Sequence, residues 1–224
     1  LFRSNIETTP KISEKPFLYI DDNGEYQVFV PAVRENTNGV SWSEDDMGEG
    51  KSIPLSEFYI ATPDDLAATI NEQITAGKNI YFTPGTYYAQ EPILVNEDNT
   101  ILLGTGMASI IPANEEAAMI IDDDVTGVKV AGLIFDAGEH SKYLLKVGTE
   151  KNSNNNEDNP IVLQDLFFRV GGTTDTLTKA DNALEINANN VLCDHFWIWR
   201  ADHGAGVEWY GNESDHGLIV NGDN

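Results

Sequence analysis

From Gly77 onward, short apolar runs alternate with turns rich in Gly, Asn and Asp. The runs have the length and the β-branched character of strands, and no second helical periodicity appears among them. The pattern predicts an all-β region built from many short strands. Strand number alone does not separate an antiparallel sandwich from a parallel stack. The clearest runs cover 80–82, 93–95, 101–103, 120–121 and 144–147.

A repeated template favours the parallel stack. Apolar residues recur at its positions 1, 3, 6 and 8, and its copies start at Val128, Ile161 and Val191, which lie 33 and 30 residues apart. Repeats of this length, each supplying two or three strands, are typical of solenoids in which every coil packs on its neighbours. The sequence therefore predicts a parallel β-helix.

A second repeat relates 184–190 to 218–224, 34 residues later. Both copies carry Asn at matched turn positions, and stacked Asn side chains can form amide ladders between coils. Because a strand starts at Val191 directly after the first copy, another strand is expected after the second copy. We therefore expect more coils to follow residue 224.

One helix is predicted before the first coil. Segment 62–65 reads Thr-Pro-Asp-Asp, which offers a capping hydroxyl, a proline suited to the first helical position and two carboxylates for the positive end of the dipole. Leu66, Ile70 and Ile74 form one apolar stripe, and Gly77 stands where a C-terminal cap belongs. Such a helix would cover the open end of the core.

The first sixty residues are organised differently. Residues 1–15 are polar and are expected to form a linker or tail. Two β-type runs around Asp22-Asn23-Gly24 predict a hairpin, followed by a loop. We therefore divide the chain into a linker (1–15), a hairpin and loop that pack on the helix (16–60), and the capping helix with the first coils (61–224).

Composition limits the partners. Acidic residues outnumber basic ones by 37 to 13, which gives a net charge of −24. Such a surface repels nucleic acids and anionic lipids, and no apolar run has the length of a membrane span. The acidity is common in exported proteins, and the chain opens on Leu1 rather than Met, so we expect a processed, secreted protein. The single Cys193 lies in an apolar alternation that predicts a core position.

Two resemblances extend this interpretation. Segments 68–71 and 77–87, the second with its Pro-Gly-Thr-Tyr turn, resemble the opening of pectin-lyase-like right-handed β-helices. Later segments resemble glycoside hydrolase family 87, which comprises bacterial α-1,3-glucanases (mutanases) and mycodextranases. That resemblance implies an endo-acting, inverting hydrolase of a neutral α-glucan with essential aspartates. The segments that carry it are 133–138, 166–172, 197–204 and 217–223.

The second resemblance also implies the catalytic residues. It places one carboxylate at Asp202, in an Arg-Ala-Asp-His-Gly motif, and an Asp-Asp pair at Asp223 and position 224, where this chain has Asn224. Inverting hydrolysis needs two carboxyl groups about 6.5–9.5 Å apart. A 21-residue coil would place Asp202 and Asp223 on adjacent coils. Stacked coils are about 4.8 Å apart, so the two carboxyl groups could reach the required separation. The 34-residue repeat would place them at different corners, and we favour the 21-residue register.

Aromatic residues near Asp202 indicate a sugar-binding surface. If Phe196 and Ile198 point inward, Trp197 and Trp199 point outward and offer flat platforms for sugar rings. The other predicted substrate-binding residues are Arg200, His203, Glu208, Trp209, His216 and Asn221.

Other functions remain open. No cofactor is expected, although the Asp122–Asp124 run offers oxygen ligands for a structural Ca²⁺. The alternatives to an α-glucanase are a non-catalytic β-helix that binds glycan or serves in adhesion, and another β-helix enzyme such as a β-1,3-glucanase or a lyase. The scattered basic residues disfavour a lyase, because its uronate substrate is anionic. The expected partners are a polysaccharide and further domains of the same chain.

Overall fold

The computed structural model describes residues 6–151, 157–172, 174–201, 204, 206–208 and 210–223. The chain divides into two compact units, Leu1–Glu57 and Phe58–Asn224. In the described part, no helix is long and apolar enough to cross a membrane.

The first unit is built from antiparallel strands. β1 (Thr9–Ile12) pairs with β4 (Arg34–Thr37), so the segment expected to be a linker contributes a strand. β2 (Phe17–Ile20), β3 (Tyr26–Pro31) and β5 (Gly50–Pro54) form a three-stranded sheet, and a short 3₁₀ turn follows at Leu55–Glu57. β2 and β3 form the hairpin that the turn residues predict. Its turn closes with Gly24 at φ +82°, a backbone conformation that glycine adopts without steric cost.

The second unit opens with a strand and the predicted helix. Helix α1 covers Ala67–Thr75, so it starts later than predicted. Thr62 and Asp65 form a separate turn, in which the Asp65 carboxylate accepts a hydrogen bond from the Thr62 N–H at 2.7 Å. Ile70 and Ile74 are buried, whereas Leu66 is exposed because it precedes the helix. The C-terminal end is as predicted: Gly77 has φ +78° and donates to the carbonyl of Ile74.

Two parallel sheets form the rest of the unit. Their strands are β6 (Phe58–Ala61), β7 (Asn79–Phe82), β8 (Gly85–Ala89), β9 (Ile93–Val95), β10 (Ile101–Pro112), β11 (Ala117–Ile121), β12 (Lys129–Asp136), β13 (Ser141–Val147), β14 (Ile161–Val170), β15 (Ala180–Ile186), β16 (Val191–Arg200) and β17 (His216–Val220). The first sheet has the order β6-β7-β10-β12-β14-β16, with β8 beside the second half of β10. The second has the order β9-β11-β13-β15-β17. From β9 onward the chain alternates between the sheets, so each passage adds one strand to both.

The repeated template stacks in the first sheet as expected. Leu133 pairs with Leu166 and Leu166 with Phe196, and Phe135 and Phe168 stack with their rings 5.2 Å apart. The template has two residues rather than one between its inward positions 3 and 6. The structure explains this spacing, because one of the two adopts a left-handed conformation and restores the inward phase. These left-handed residues are Gly132 (φ +68°), Asp165 (φ +53°) and His195 (φ +55°).

The 21-residue register is wrong. Leu184 pairs with Leu218 and Glu185 with Ile219, which is the 34-residue register. Ile198 pairs with Phe168 in the other sheet, so it does not stack on Ile219. The observed register aligns the Asn-rich turns, and the Asn221 side chain donates to the Asn187 side-chain oxygen at 2.8 Å. The shorter register depended chiefly on the resemblance to glycoside hydrolase family 87.

The prediction of a core position for Cys193 needs correction. Its pairing partner Leu163 is buried, but Cys193 lies on β16, the outermost described strand of the first sheet, and is exposed. The apolar side chains around the thiol still desolvate it, which raises the pKa of Cys193 to about 12. A cavity of about 240 Å³ opens beside this thiol and is also lined by Phe196, Leu218 and Val220.

Candidate functional site

The outward face of the first sheet carries a row of polar and aromatic residues. The row occupies template position 9, one residue after the last inward position, on three neighbouring strands. Asp136 of β12 pairs with Arg169 of β14, which pairs with Trp199 of β16. Strands alternate their side chains between faces, so these three groups lie on the face opposite the core.

Asp136 and Arg169 form a two-point ion pair. The Arg169 Nε donates to Asp136 Oδ1 at 2.6 Å and its Nη2 donates to Oδ2 at 3.2 Å. The Asp136 side chain is 1% exposed, whereas that of Arg169 is 34% exposed. A buried carboxylate held by a fork of two donors fixes the guanidinium in one orientation. The pair therefore gives the face a rigid polar centre next to Trp199.

Two indoles stand beside this centre. Trp197 is 62% exposed, and its ring lies 6.5 Å from that of Trp199, tilted by 50°. Phe196 and Ile198 pack against the buried core, so the predicted outward orientation of the two Trp residues is confirmed. Phe167, the pairing partner of Trp197, adds a third aromatic ring to the face. Flat exposed rings next to fixed polar groups are suited to the apolar faces and hydroxyls of sugars.

The predicted site residues separate into several places. Asp202, His203, Trp209 and Asn224 lie outside the described residues. Arg200 is exposed at the end of β16, where it pairs with the buried core residue Val170, so its strand position is not on the face of the Trp pair. Asn221 belongs to the amide ladder, where its side chain donates to Asn187.

Three more predicted residues lie on the second sheet or in the loop after β16. His216, on the second sheet, has its Nδ1 3.0 Å from Asn182 Oδ1. Asp223 is exposed at a turn of that sheet, where its N–H donates to Asn189 Oδ1 at 2.6 Å. Glu208 is exposed, and its carbonyl accepts from Gly211 in a loop after β16.

Asp123, in the aspartate run considered for Ca²⁺, contacts the start of the segment that follows β13. The Asp123 carboxylate accepts hydrogen bonds from the N–H groups of Thr149 and Glu150, and it also contacts the Thr149 hydroxyl. Among the residues that the structure describes, no three His, Cys, Asp or Glu side chains are grouped as metal ligands.

Position 9 is the signal that sequence reasoning missed. It holds Asp136, Arg169 and Trp199 in three successive copies, and the template alone would have placed them in one row. Tyr88 of β8 belongs to the same row. It pairs with Ile111 of β10. The preceding residue, Ile110, pairs with Phe135, which directly precedes Asp136. Tyr88 is 52% exposed.

The parallel sheets and their outward aromatic face define a mostly-β, pectate-lyase-like domain. Residues 58–224 match a family described as the LAM55 pectate lyase-like domain, and the chain belongs to that family.

Two comparisons extend this finding. The chain is 46% identical over 222 residues to an exo-β-1,3-glucanase of Streptomyces sp. (strain SirexAA-E / ActE), a match that covers 99% of this chain and 36% of that protein. It is also similar to the structure of sacteLam55A from Streptomyces sp. SirexAA-E, with a TM-score of 0.92 and 46% identity over 98% of this chain and 39% of the other. A variant of sacteLam55A with one glutamate replaced by alanine, in complex with glucose, matches equally well. The chain thus spans well under half the length of these relatives.

These findings correct the interpretation of the sequence. The resemblance to glycoside hydrolase family 87 is wrong, and so is the α-glucan substrate that it implied. The pectate-lyase-like part of the resemblance is confirmed, because the coil turns and stacked strands belong to the fold rather than to one reaction. An exo-β-1,3-glucanase is a glycoside hydrolase, so the predicted class of enzyme agrees with the relative's name. The roles of Asp202 and Asp223 came from the wrong family and stay predictions.

Proposed function

We propose that this chain is part of a secreted glycoside hydrolase that degrades β-1,3-glucan from the chain ends. The observation that carries the proposal is the 46% identity across nearly the whole chain to an exo-β-1,3-glucanase. The charge agrees with a neutral substrate, since a net charge of −24 disfavours polyanions. The outward indoles of Trp197 and Trp199, beside the fixed guanidinium of Arg169, supply a surface suited to sugar rings.

The finer architecture is also a proposal: a right-handed parallel β-helix that forms the N-terminal part of a longer solenoid. The alternation between two parallel sheets supports it. At the outer side of β16 and β17, no described strand pairs further, and the cavity beside Cys193 leaves core-facing side chains open. Sheet edges and apolar core ends of this kind are normally covered. The greater length of the relatives offers the coils that would cover them.

Cys193 provides a direct test of that cover. We expect a thiol reagent to label Cys193 in the 224-residue chain, slowly because a pKa of about 12 leaves little thiolate. In the longest natural form of the protein, further coils would bury the thiol and labelling would fall sharply. Complete labelling of both after unfolding in urea is the control. Equal native labelling rates would contradict the proposed continuation.

The substrate is tested by offering four polysaccharides to the longest natural form. We expect glucose as the first product from soluble β-1,3-glucan, and no reducing ends from α-1,3-glucan, mixed α-1,4/1,3-glucan or polygalacturonate. Release of long oligosaccharides first would refute exo-action. Binding of β-1,3-glucan without any hydrolysis would overturn the enzymatic proposal in favour of a binding module.

The same assay tests the predicted carboxylates. Asp202→Asn and Asp223→Asn are measured separately on β-1,3-glucan, with circular dichroism to show that each variant folds. The observed 34-residue register does not stack position 223 on the first sheet, so the two losses have no reason to be equal. A loss confined to Asp202→Asn would keep that residue as a candidate acid or base and remove Asp223.

A further inference from the structure

A groove on the second unit is separate from the Trp197 and Trp199 pair. It has a volume of about 610 Å³ and lies where β8, β10 and β12 end and turn toward the second sheet. Its floor includes Ile111, Pro112 and Gly138. A Cβ on Gly138 would come within 2.3 Å of the Pro112 carbonyl oxygen, so the floor is closely packed and only glycine fits there. Backbone packing between adjacent coils therefore forms this part of the floor.

The walls of the groove combine one flat ring with hydrogen-bonding groups. The ring of Tyr88 is half exposed and stands next to the apolar floor. Glu115, Glu139 and His140 line the rim. The Nε2 of His140 lies 3.1 Å from Asp181 Oδ1, which orients the imidazole. The rim thus offers carboxylate acceptors and an oriented imidazole around an aromatic platform.

The chemistry of these groups selects the ligand. Two carboxylates on the rim repel uronates and phosphates, but they accept hydrogen bonds from hydroxyl groups. The Tyr88 ring and the proline floor match the apolar face of a sugar ring. A neutral polyhydroxylated chain fits both properties, whereas the described residues provide no metal-ligand group here.

Strand register connects the groove to the indoles. Tyr88, Ile111, Asp136, Arg169 and Trp199 follow one row across five neighbouring strands. With neighbouring strands about 4.8 Å apart, the row is about 19 Å long. Ile111 and Asp136 are buried within the row, so a polysaccharide that passes over it would contact the exposed Tyr88 at one end and the partly exposed Arg169 and Trp199 at the other.

We propose that the groove at Tyr88 is a second binding site for the same neutral β-1,3-glucan, occupied by chains long enough to run along this row. The proposal rests on the proposed function, because it takes its substrate class from there. It adds a subsite distant from the Trp pair, and it predicts that chain length controls affinity. Short oligosaccharides reach only one end of the row, and long chains gain both contacts in one binding event.

The test compares Tyr88→Ala with Tyr26→Ala in the longest natural form of the protein. Tyr26 is a matched control, because it is 53% exposed but lies in the first unit. Calorimetric titration with β-1,3-gluco-oligosaccharides of increasing length and with the polymer gives the dissociation constants. Aromatic contacts of this kind correspond to about a 3- to 10-fold loss of affinity. We expect that loss for Tyr88→Ala with long chains, a smaller loss with short ones, and none for Tyr26→Ala.

Several outcomes would overturn the proposal. In the first, the wild type hydrolyses β-1,3-glucan, and Tyr88→Ala binds long chains as tightly as the wild type does. The groove inference then fails, and the proposed function stands. If the wild type neither binds nor hydrolyses β-1,3-glucan, the proposed function fails and the groove inference fails with it. A Tyr88-dependent affinity for cationic chitosan alone would assign the groove to a different ligand. Glu115→Gln with Glu139→Gln is a second variant, expected to weaken long-chain binding without changing the melting temperature of the protein.

Discussion

The ion pair between Asp136 and Arg169 makes a quantitative prediction about the outward face. Replacement of Arg169 by Met removes the guanidinium and leaves the buried Asp136 carboxylate without its partner. Removing one member of a fully buried pair costs about 3–5 kcal/mol of stability. Arg169 is one-third exposed, and solvent screens part of the attraction, so we expect the lower end, about 3 kcal/mol. Asp136→Ala leaves a guanidinium that can still reach water and should cost less, about 1–2 kcal/mol.

A double-mutant cycle isolates this interaction. The double variant removes both charges, so it should be more stable than Arg169→Met alone. Urea unfolding followed by circular dichroism gives each free energy, and unchanged m-values would show that the same unfolding reaction is compared. The exposed pair Lys142–Glu116, with Nζ and Oε1 2.6 Å apart, is the control, and Glu116→Gln should cause no measurable change. The reasoning would be refuted if the cost of the double variant equalled the sum of the costs of Asp136→Ala and Arg169→Met to within about 0.5 kcal/mol.

Three further predictions concern the coils and their turns. Gly132 has φ +68°, and Gly132→Ala would place a Cβ 2.5 Å from the Gly104 carbonyl oxygen, so it should cost at least about 2 kcal/mol in urea unfolding. Gly24→Ala should cost less, because its Cβ would meet nothing within 4 Å; equal costs would contradict the packing argument. Tyr87→Phe removes a buried hydroxyl that donates to a strand carbonyl at 2.8 Å and should cost about 1 kcal/mol, and no loss of melting temperature would show that this bond does not stabilise the fold. Burial raises the pKa of Asp181, but hydrogen bonds from an imidazole and an ammonium group outweigh it and hold the pKa below 3.8. Its stabilising effect is therefore present above 3.8 and lost as the pH falls through the lower folded-state pKa, so Asp181→Asn should reduce the stability lost as the pH falls below 3.8; an unchanged pH profile would exclude this role.

Much of the fold follows from local patterns. The hairpin at Gly24, the C-terminal end of the helix at Gly77 and the stacking of Leu133 on Leu166 were all predictable, because each depends on a turn residue or an apolar phase. The helix start was not predicted correctly. The Asp65 carboxylate accepts from Thr62, so a sequence that has the composition of a helix cap closes a separate turn instead. Composition cannot distinguish the two, because both use the same side-chain oxygen and backbone donors.

The coil register could not be obtained from one strand alone. The apolar residues of β17 match those of β16 in the 21-residue register and those of β15 in the 34-residue register, so the inward and outward alternation alone does not choose between the registers. The turns decide between the registers, because an amide ladder such as that of Asn187 and Asn221 requires one particular alignment. The choice of the 21-residue spacing gave weight to a resemblance in short turn motifs. Those motifs serve the coil itself, and coils of one fold serve unrelated reactions.

The register also determines where a binding site can lie on this fold. Residues that are adjacent in sequence, such as Trp199 and Arg200 of β16, point to opposite faces of their strand. Residues one coil apart, such as Asp136 and Arg169, lie in contact on adjacent strands. A row therefore assembles a surface from the same template position in successive coils, and its length grows with each coil. Each additional coil of this kind would lengthen such a row by about 4.8 Å.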